Sequence, residues 1–281
     1  MKCQWDALLS VLPDSLRDDL GMQSKEILLE IRLRRGQRIE LIYPTGSRFL
    51  TKTATAEDIR QCIHYASRYS PWTAATQSSG YITVQGGHRI GICGRYTEGS
   101  NGAVIKDPTM LCIRIARDIA GISKGLADLK GSILILGRPG CGKTTLLRDL
   151  IRNYSGRTSS QISVVDEREE LFPKWNGEFC FPTGPKTDVL SGCSKNKGII
   201  MLLRNMTPSV IAVDEITAEE DCTSLLEAGW CGVELYATAH ARNLKDLYSR
   251  KIYLPLVQSG IFENIVVLNE DKSWRLERRS I

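Results

Sequence analysis

Short apolar runs alternate with helix-spaced segments through the second half of this chain. The runs are 132–136, 162–165, 209–213 and 233–238. Predominant apolarity over four to six residues is what a parallel strand covered on both faces requires. Between and after them, 144–153, 196–205, 219–228 and 244–249 have helical spacing. That alternation predicts a mainly parallel sheet with helices on both faces.

The first 118 residues follow another pattern. A short helix is expected over 14–21, ending at Gly21. A strand is expected over 26–35, with Ile27, Leu29, Ile31 and Leu33 on one face. Partner strands follow at 38–43 and 48–51 around Pro44-Thr45-Gly46, then a helix over 56–67. Segments 81–84 and 89–93 read as a hairpin around Gln85-Gly86-Gly87-His88, and 110–116 as a further strand. Gly121, Gly125 and Gly131 mark a boundary within 120–131. The expected organisation is a smaller α+β unit over 1–120 and an α/β unit over 121–281.

Composition narrows the class without naming a function. The chain has 281 residues, 42% hydrophobic and 25% charged, as an ordinary two-domain globular protein would. Its net charge of +5 permits contact with nucleic acid or an anionic membrane surface but argues for neither. No apolar run approaches the ~20 residues that span a bilayer. Asp6 and Asp14 interrupt what could otherwise be a secretory signal. Nine cysteines, an odd number with no C-x-x-C, suit neither a disulfide framework nor a zinc site. They read as reduced thiols of a cytosolic protein, mostly small core residues.

The chemistry begins at Gly137-Arg138-Pro139-Gly140-Cys141-Gly142-Lys143-Thr144-Thr145, which fits G-x-x-x-x-G-K-[ST]. It lies between a predicted strand and a predicted helix, so the helix N-terminus offers unpaired amides to a triphosphate. Gly137, Gly140 and Gly142 permit backbone angles and close approach that side chains would forbid. Lys143 is expected on the β- and γ-phosphates and the Thr144 hydroxyl on Mg²⁺. Cys141, at a helix start beside Lys143, occupies a position that activates a thiol, so alkylation there is expected to block the site.

Three other predicted strands end in charge. Val210-Ile211-Ala212-Val213 leads into Asp214 and Glu215, a Walker B pattern: Asp214 for the Mg²⁺ shell, Glu215 to orient water. The run 162–165 leads into Asp166, Glu167, Arg168, Glu169 and Glu170, and 233–238 leads to His240. Ligands of parallel sheets bind beyond strand C-termini, so these side chains should share one rim. His240 alone could equally be a structurally satisfied imidazole, and the acids a solvated helix start.

Taken together, the phosphate loop, the acidic strand end, the Asp214-Glu215 pair and Thr238-Ala239-His240 resemble the Walker A, Asp box, Walker B and His box of the type II/type IV secretion ATPases. The stretches 30–34, 80–95, 113–117 and 202–215 support the resemblance, which spans most of the chain. It implies a RecA-like P-loop domain binding ATP and Mg²⁺, with Glu215 as catalytic glutamate, Asp166, Glu167 and Glu170 as the Asp box, and His240 as a sensor. It implies a homo-hexamer with nucleotide at subunit boundaries. A neighbour's arginine would come from Arg89, Arg95, Arg114, Arg117 or Arg204 and be worth about 10³–10⁵ in rate. Relatives often carry glycine before the Walker B glutamate; Asp214 departs from that and fits the sporulation branch of the family. The extra N-terminal domain and tetracysteine module of larger relatives are not visible, so docking on a membrane platform should differ. The function implied is ATP hydrolysis powering assembly of, or transport through, the mother-cell-to-forespore channel, with integral membrane proteins as partners and a mother-cell cytoplasmic location. A nucleic-acid translocating motor and an ATP-gated scaffold with little turnover are the alternatives; nucleic acid is not an expected partner. A GTPase is not expected, because Asn196-Lys197-Gly198-Ile199 fails N-K-x-D at its last position.

Overall fold

A computed structural model describes residues 3–21, 27–68, 80–99, 102–126, 128–157 and 160–277. The chain divides into two compact units, 1–118 with 173–181, and 119–172 with 182–281.

The first unit contains α1 (Trp5–Ser10), α2 (Asp14–Gly21), β1 (Glu30–Arg34), β2 (Arg38–Tyr43), β3 (Gly46–Thr53), α3 (Ala56–Arg68), β4 (Tyr81–Thr83), β5 (Arg89–Gly99) and β6 (Gly102–Arg114). Its six strands form an antiparallel sheet in the order β3-β2-β1-β6-β5-β4. Leu8 of α1, Leu12 of the following turn, Leu16 of α2 and Ile59, Cys62 and Ala66 of α3 pack with Ile31, Leu33, Leu41, Ile90 and Ile113 from the strands. Thr55 and Asp58 start α3 with a reciprocal cap: each side chain accepts the other's amide, at 3.0 and 2.8 Å.

Strand β1 corrects the expected alternation. Leu28 is buried while Ile27 and Leu29 are 49% and 41% exposed, and the strand starts only at Glu30. Period two holds only once pairing with β2 and β6 begins, so the apolar residues ahead of it follow the turn geometry instead. Glu26, in the expected strand, lies outside the described residues. The β5–β6 hairpin extends outward past the expected 89–93 and 110–116, to Gly99 and Gly102; its outer part is mostly polar and glycine-containing, with only Ala103-Val104-Ile105 as an apolar run.

The second unit contains β7 (Ile133–Leu136), α4 (Lys143–Arg157), β8 (Ile162–Asp166), β11 (Thr187–Ser191), α5 (Lys195–Asn205), β12 (Val210–Val213), α6 (Glu219–Trp230), β13 (Glu234–Ala239), α7 (Leu244–Tyr248), α8 (Leu254–Ser259), β14 (Asn264–Leu268) and β15 (Trp274–Glu277). The sheet order is β11-β8-β12-β13-β7-β14-β15, parallel except for β15. Strand residues alternate between two cores. Ile133, Ile135, Val164 and Ala212 pack with Leu146, Leu147 and Leu150 of α4. Leu134, Leu136, Ile211 and Val213 pack with Ile199 of α5 and Leu225 of α6.

Residues 173–181 leave this unit and join the first, forming β9 (Lys174–Trp175) and β10 (Glu178–Phe179). They meet the turn after β4, where a Cβ on Gly87 would lie 2.7 Å from Pro173 Cγ. The Gln85-Gly86-Gly87 sequence is thus a packing device: Gly87 has φ +78° and no room for a side chain.

Candidate active site

Register staggers four neighbouring strand ends by two residues. Leu136 pairs with Ala239, and Val213 with both Ala237 and Val165. The next residues, Gly137, His240, Asp214 and Asp166, therefore emerge on one rim of the sheet.

The loop between β7 and α4 needs its glycines for two different reasons. Gly140 and Gly142 have φ of +73° and +106°. Gly137 is a matter of space: a Cβ there would lie 2.5 Å from Cys141 Sγ and 3.1 Å from the Leu268 carbonyl oxygen. Arg138, Pro139 and Gly140 are exposed, whereas Thr144 and Thr145 are half-buried at the helix start. Lys143 is buried, and its ammonium donates to the carbonyls of Gly137 and Arg138, each at 3.0 Å, and to His240 Nδ1 at 2.9 Å. Burial holds its pKa below the ordinary lysine value.

Asp214 is held from both sides. Its Oδ2 accepts from Thr144 Oγ1 and its Oδ1 from Thr238 Oγ1, both at 2.7 Å. Thr238 Oγ1 also accepts the Glu215 amide at 2.8 Å. Thr238 stands in the Thr-Ala-His stretch, but its role is long-range; the available signal is a hydroxyl near the end of an otherwise apolar buried strand.

Glu215 sits at φ +47°, a left-handed conformation that costs a non-glycine residue energy and concentrates at functional sites. Its Oε1 lies 2.9 Å from His240 Nε2, and its Oε2 lies 3.6 Å from Arg168 Nη1. Because the Lys143 ammonium can only donate, His240 Nδ1 accepts, which assigns the proton to Nε2 and makes it the donor to Glu215. Lys143, His240 and Glu215 thus form one hydrogen-bonded chain.

The Asp box divides into different jobs. Asp166 is 1% exposed and turns its oxygens to the amides of Glu170, Leu171 and Phe172 at 2.9, 3.2 and 2.7 Å. Desolvation nevertheless dominates and raises its pKa to about 6. Asp166 lines the cleft, but its carboxylate is engaged by the backbone and anchors the 167–172 loop. Buried Arg148 braces the other side, donating to the carbonyls of Glu170 and Leu171. Glu167 pairs with buried Lys195, which also lies 3.7 Å from Asp221 Oδ2. Asp221 in turn accepts the Thr217 and Ala218 amides, so Lys195 ties the Asp-box loop to the segment after Glu215. Asp166, Glu167, Arg168, Glu170, Lys195, Asp214 and Glu215 line one cleft.

Arg204 is not brought to this cluster. Helix α5 has Lys195 at the Glu167 end and spans about 16 Å. Its other end leads to Ser209, whose amide bonds the Gln161 carbonyl at the start of β8. Arg204 is exposed there, at the opposite edge of the sheet. Cys141 is buried at 4% exposure, so reagent access requires the loop to open. Of nine cysteines only Cys62, Cys141 and Cys222 are buried, which corrects the expectation of mostly core thiols. The β14–β15 turn, unanticipated from sequence, rests on the loop: Lys272 donates to the Gly140 and Cys141 carbonyls at 3.2 and 2.9 Å, and Arg138 pairs with Glu270 at 2.6 Å.

The family model for Sporulation stage III, protein AA matches residues 4–276. Stage III sporulation protein AA of Bacillus subtilis (strain 168) is 35% identical over 279 residues, covering 94% of this chain and 91% of the relative. Uncharacterized protein ycf45 of Porphyra purpurea is 27% identical over 278 residues, covering 96% of this chain and 46% of its own length. Among solved structures, the Legionella pneumophila ATPase DotB aligns with a TM-score of 0.56 at 16% identity, over 89% of this chain and 76% of its own. The pilus retraction motor PilT, solved with bound ADP, aligns with a TM-score of 0.60 at 15% identity, over 91% and 77%. At these identities the two solved structures show a shared fold.

Proposed function

The chain belongs to the Sporulation stage III, protein AA family, and on that premise we propose that it hydrolyses ATP. The observation that carries this reading is the convergence of Lys143, His240 and Glu215 on one side of the phosphate loop with Thr144 and Asp214 on the other. Amides at the start of α4 bind phosphate oxygens. Lys143 exchanges its loop carbonyls and His240 for the β- and γ-phosphates. Glu215, oriented by the His240 Nε2–H, accepts a hydrogen bond from the attacking water. Thr144 Oγ1 and Asp214 Oδ2, hard oxygen donors 2.7 Å apart, suit Mg²⁺. Such an ion, when bound, neutralises phosphate charge.

The wider reading places the chain in a homo-hexamer on the cytoplasmic side of the mother-cell membrane, working with integral membrane proteins of the sporulation channel. PilT, a pilus retraction motor, and DotB, an ATPase, have the same fold and support it by analogy. No helix among the described residues is long and apolar enough to cross a membrane, in keeping with attachment through partners. Arg204, remote from its own phosphate loop, fits delivery to a neighbouring chain; Arg89, Arg95, Arg114 and Arg117 of the first unit are the other candidates.

Glu215→Gln tests the hydrolytic step. It should retain Mg-ATP binding and lose turnover by about 10² or more. Equal turnover in variant and parent would favour a nucleotide-gated scaffold.

A further inference from the structure

The cleft beside Glu215 is lined by five carboxylates, Asp166, Glu167, Glu170, Asp214 and Glu215, and by two cations, Lys195 and Arg168. Lys143 serves the phosphates from the loop; on the Glu215 side a triphosphate meets net negative charge unless a further cation is available to it. Lys195 is committed: its side chain is 5% exposed and lies between Glu167 and Asp221. Arg168 differs. Its side chain is 55% exposed, and Nη1 stands 3.6 Å from Glu215 Oε2, beyond hydrogen-bond length.

The backbone that carries Arg168 is over-determined. Three amides of the loop bond the Asp166 carboxylate. The Asp166 carbonyl accepts the amides of Glu169 at 3.3 Å and Gly192 at 3.1 Å. Arg148 holds two loop carbonyls from beneath. Glu169 takes φ +54°, which sharpens the reversal just after Arg168. A pinned loop with an exposed guanidinium at its tip, beside the glutamate that faces the phosphate loop, is a way of presenting a charge to an incoming anion. Guanidinium geometry matches phosphoryl oxygens, and its charge does not titrate away.

We propose that Arg168 is a same-chain ligand for the terminal phosphoryl group of a bound nucleoside triphosphate, leaving Glu215 for the phosphate when nucleotide enters. This rests on the nucleotide reading above and adds a residue to it. It also gives Asp166 and Arg148 a purpose, as positioning residues for the loop that carries Arg168.

The test is equilibrium binding of β,γ-imido-ATP and of ADP, each with Mg²⁺, to the full chain, Arg168→Ala and Arg168→Lys. Loss of the guanidinium should weaken the triphosphate analogue about ten- to a hundredfold while ADP stays within about twofold. Arg168→Lys should recover part of that discrimination. Retained ADP affinity also reports a folded site. Equal weakening of both nucleotides, or of neither, overturns the assignment and leaves the ATPase reading standing. A parent that binds neither nucleotide overturns both.

Discussion

Asp166→Asn separates an anchoring carboxylate from a reacting one. In the folded chain this group is almost wholly buried, and burial raises its pKa from 3.8 to about 6 against the pull of the Phe172 and Leu171 amides. The folded state therefore holds the proton more tightly than the unfolded state. Stability from this group is fully present below the unfolded value and is lost as pH rises through the folded one. A rise of that size corresponds to roughly 3 kcal/mol in all, of which about 1 kcal/mol falls between pH 5 and 7. Asparagine cannot ionise and lacks this slope. It brings a separate cost, because an NH₂ group replaces one acceptor among the three amides; a buried amide left unpaired costs about 1–3 kcal/mol at every pH. Urea unfolding of parent and variant at pH 5, 6 and 7 reads both effects. The variant should be less stable at pH 5 by about 1–3 kcal/mol, and the gap should narrow by about 1 kcal/mol at pH 7. A gap that is constant or widens with pH would refute the reasoning.

Two further substitutions probe the rim. Thr238→Val removes the donor to Asp214 Oδ1 and the acceptor of the Glu215 amide; it should cost about 1–3 kcal/mol in thermal unfolding and lower turnover more than nucleotide affinity. Gly137→Ala places a Cβ against Cys141 Sγ; it should weaken Mg-ATP binding and cost about 1–3 kcal/mol in stability, with Cys141→Ala added in the same chain recovering part of both. Failure of the second change to recover either would point to the Leu268 carbonyl as the decisive clash.

The legible parts of this molecule are those whose physics is local. Strands β7, β8 and β12 are buried on both faces and so read as apolar runs. The phosphate loop is legible because its glycines answer to local backbone angles and one close approach. Edge strands are not: β11, half-buried along its length as Thr-Asp-Val-Leu-Ser, and β15, Trp-Arg-Leu-Glu, have no run to read. β14 has such a run, Ile265 to Leu268, within a segment for which the sequence reading predicted no strand. At the site, motif spacing finds Lys143, Thr144, Asp214, Glu215 and His240. It does not find Arg148, Lys195 or the task of Thr238, whose partners lie between 22 and 28 residues away. Nor does it distinguish Asp166 from Glu167, adjacent acids of which one is spent on the backbone and the other on a lysine.

The most direct measurement is equilibrium binding of ATP with Mg²⁺ to the purified, folded full chain and to Lys143→Met. The parent should bind saturably at one site per chain, and the variant should lose most of that affinity. A folded parent showing no binding at saturating nucleotide, or a Lys143→Met variant that binds as well as the parent, would contradict the claim that these strand ends surround a triphosphate.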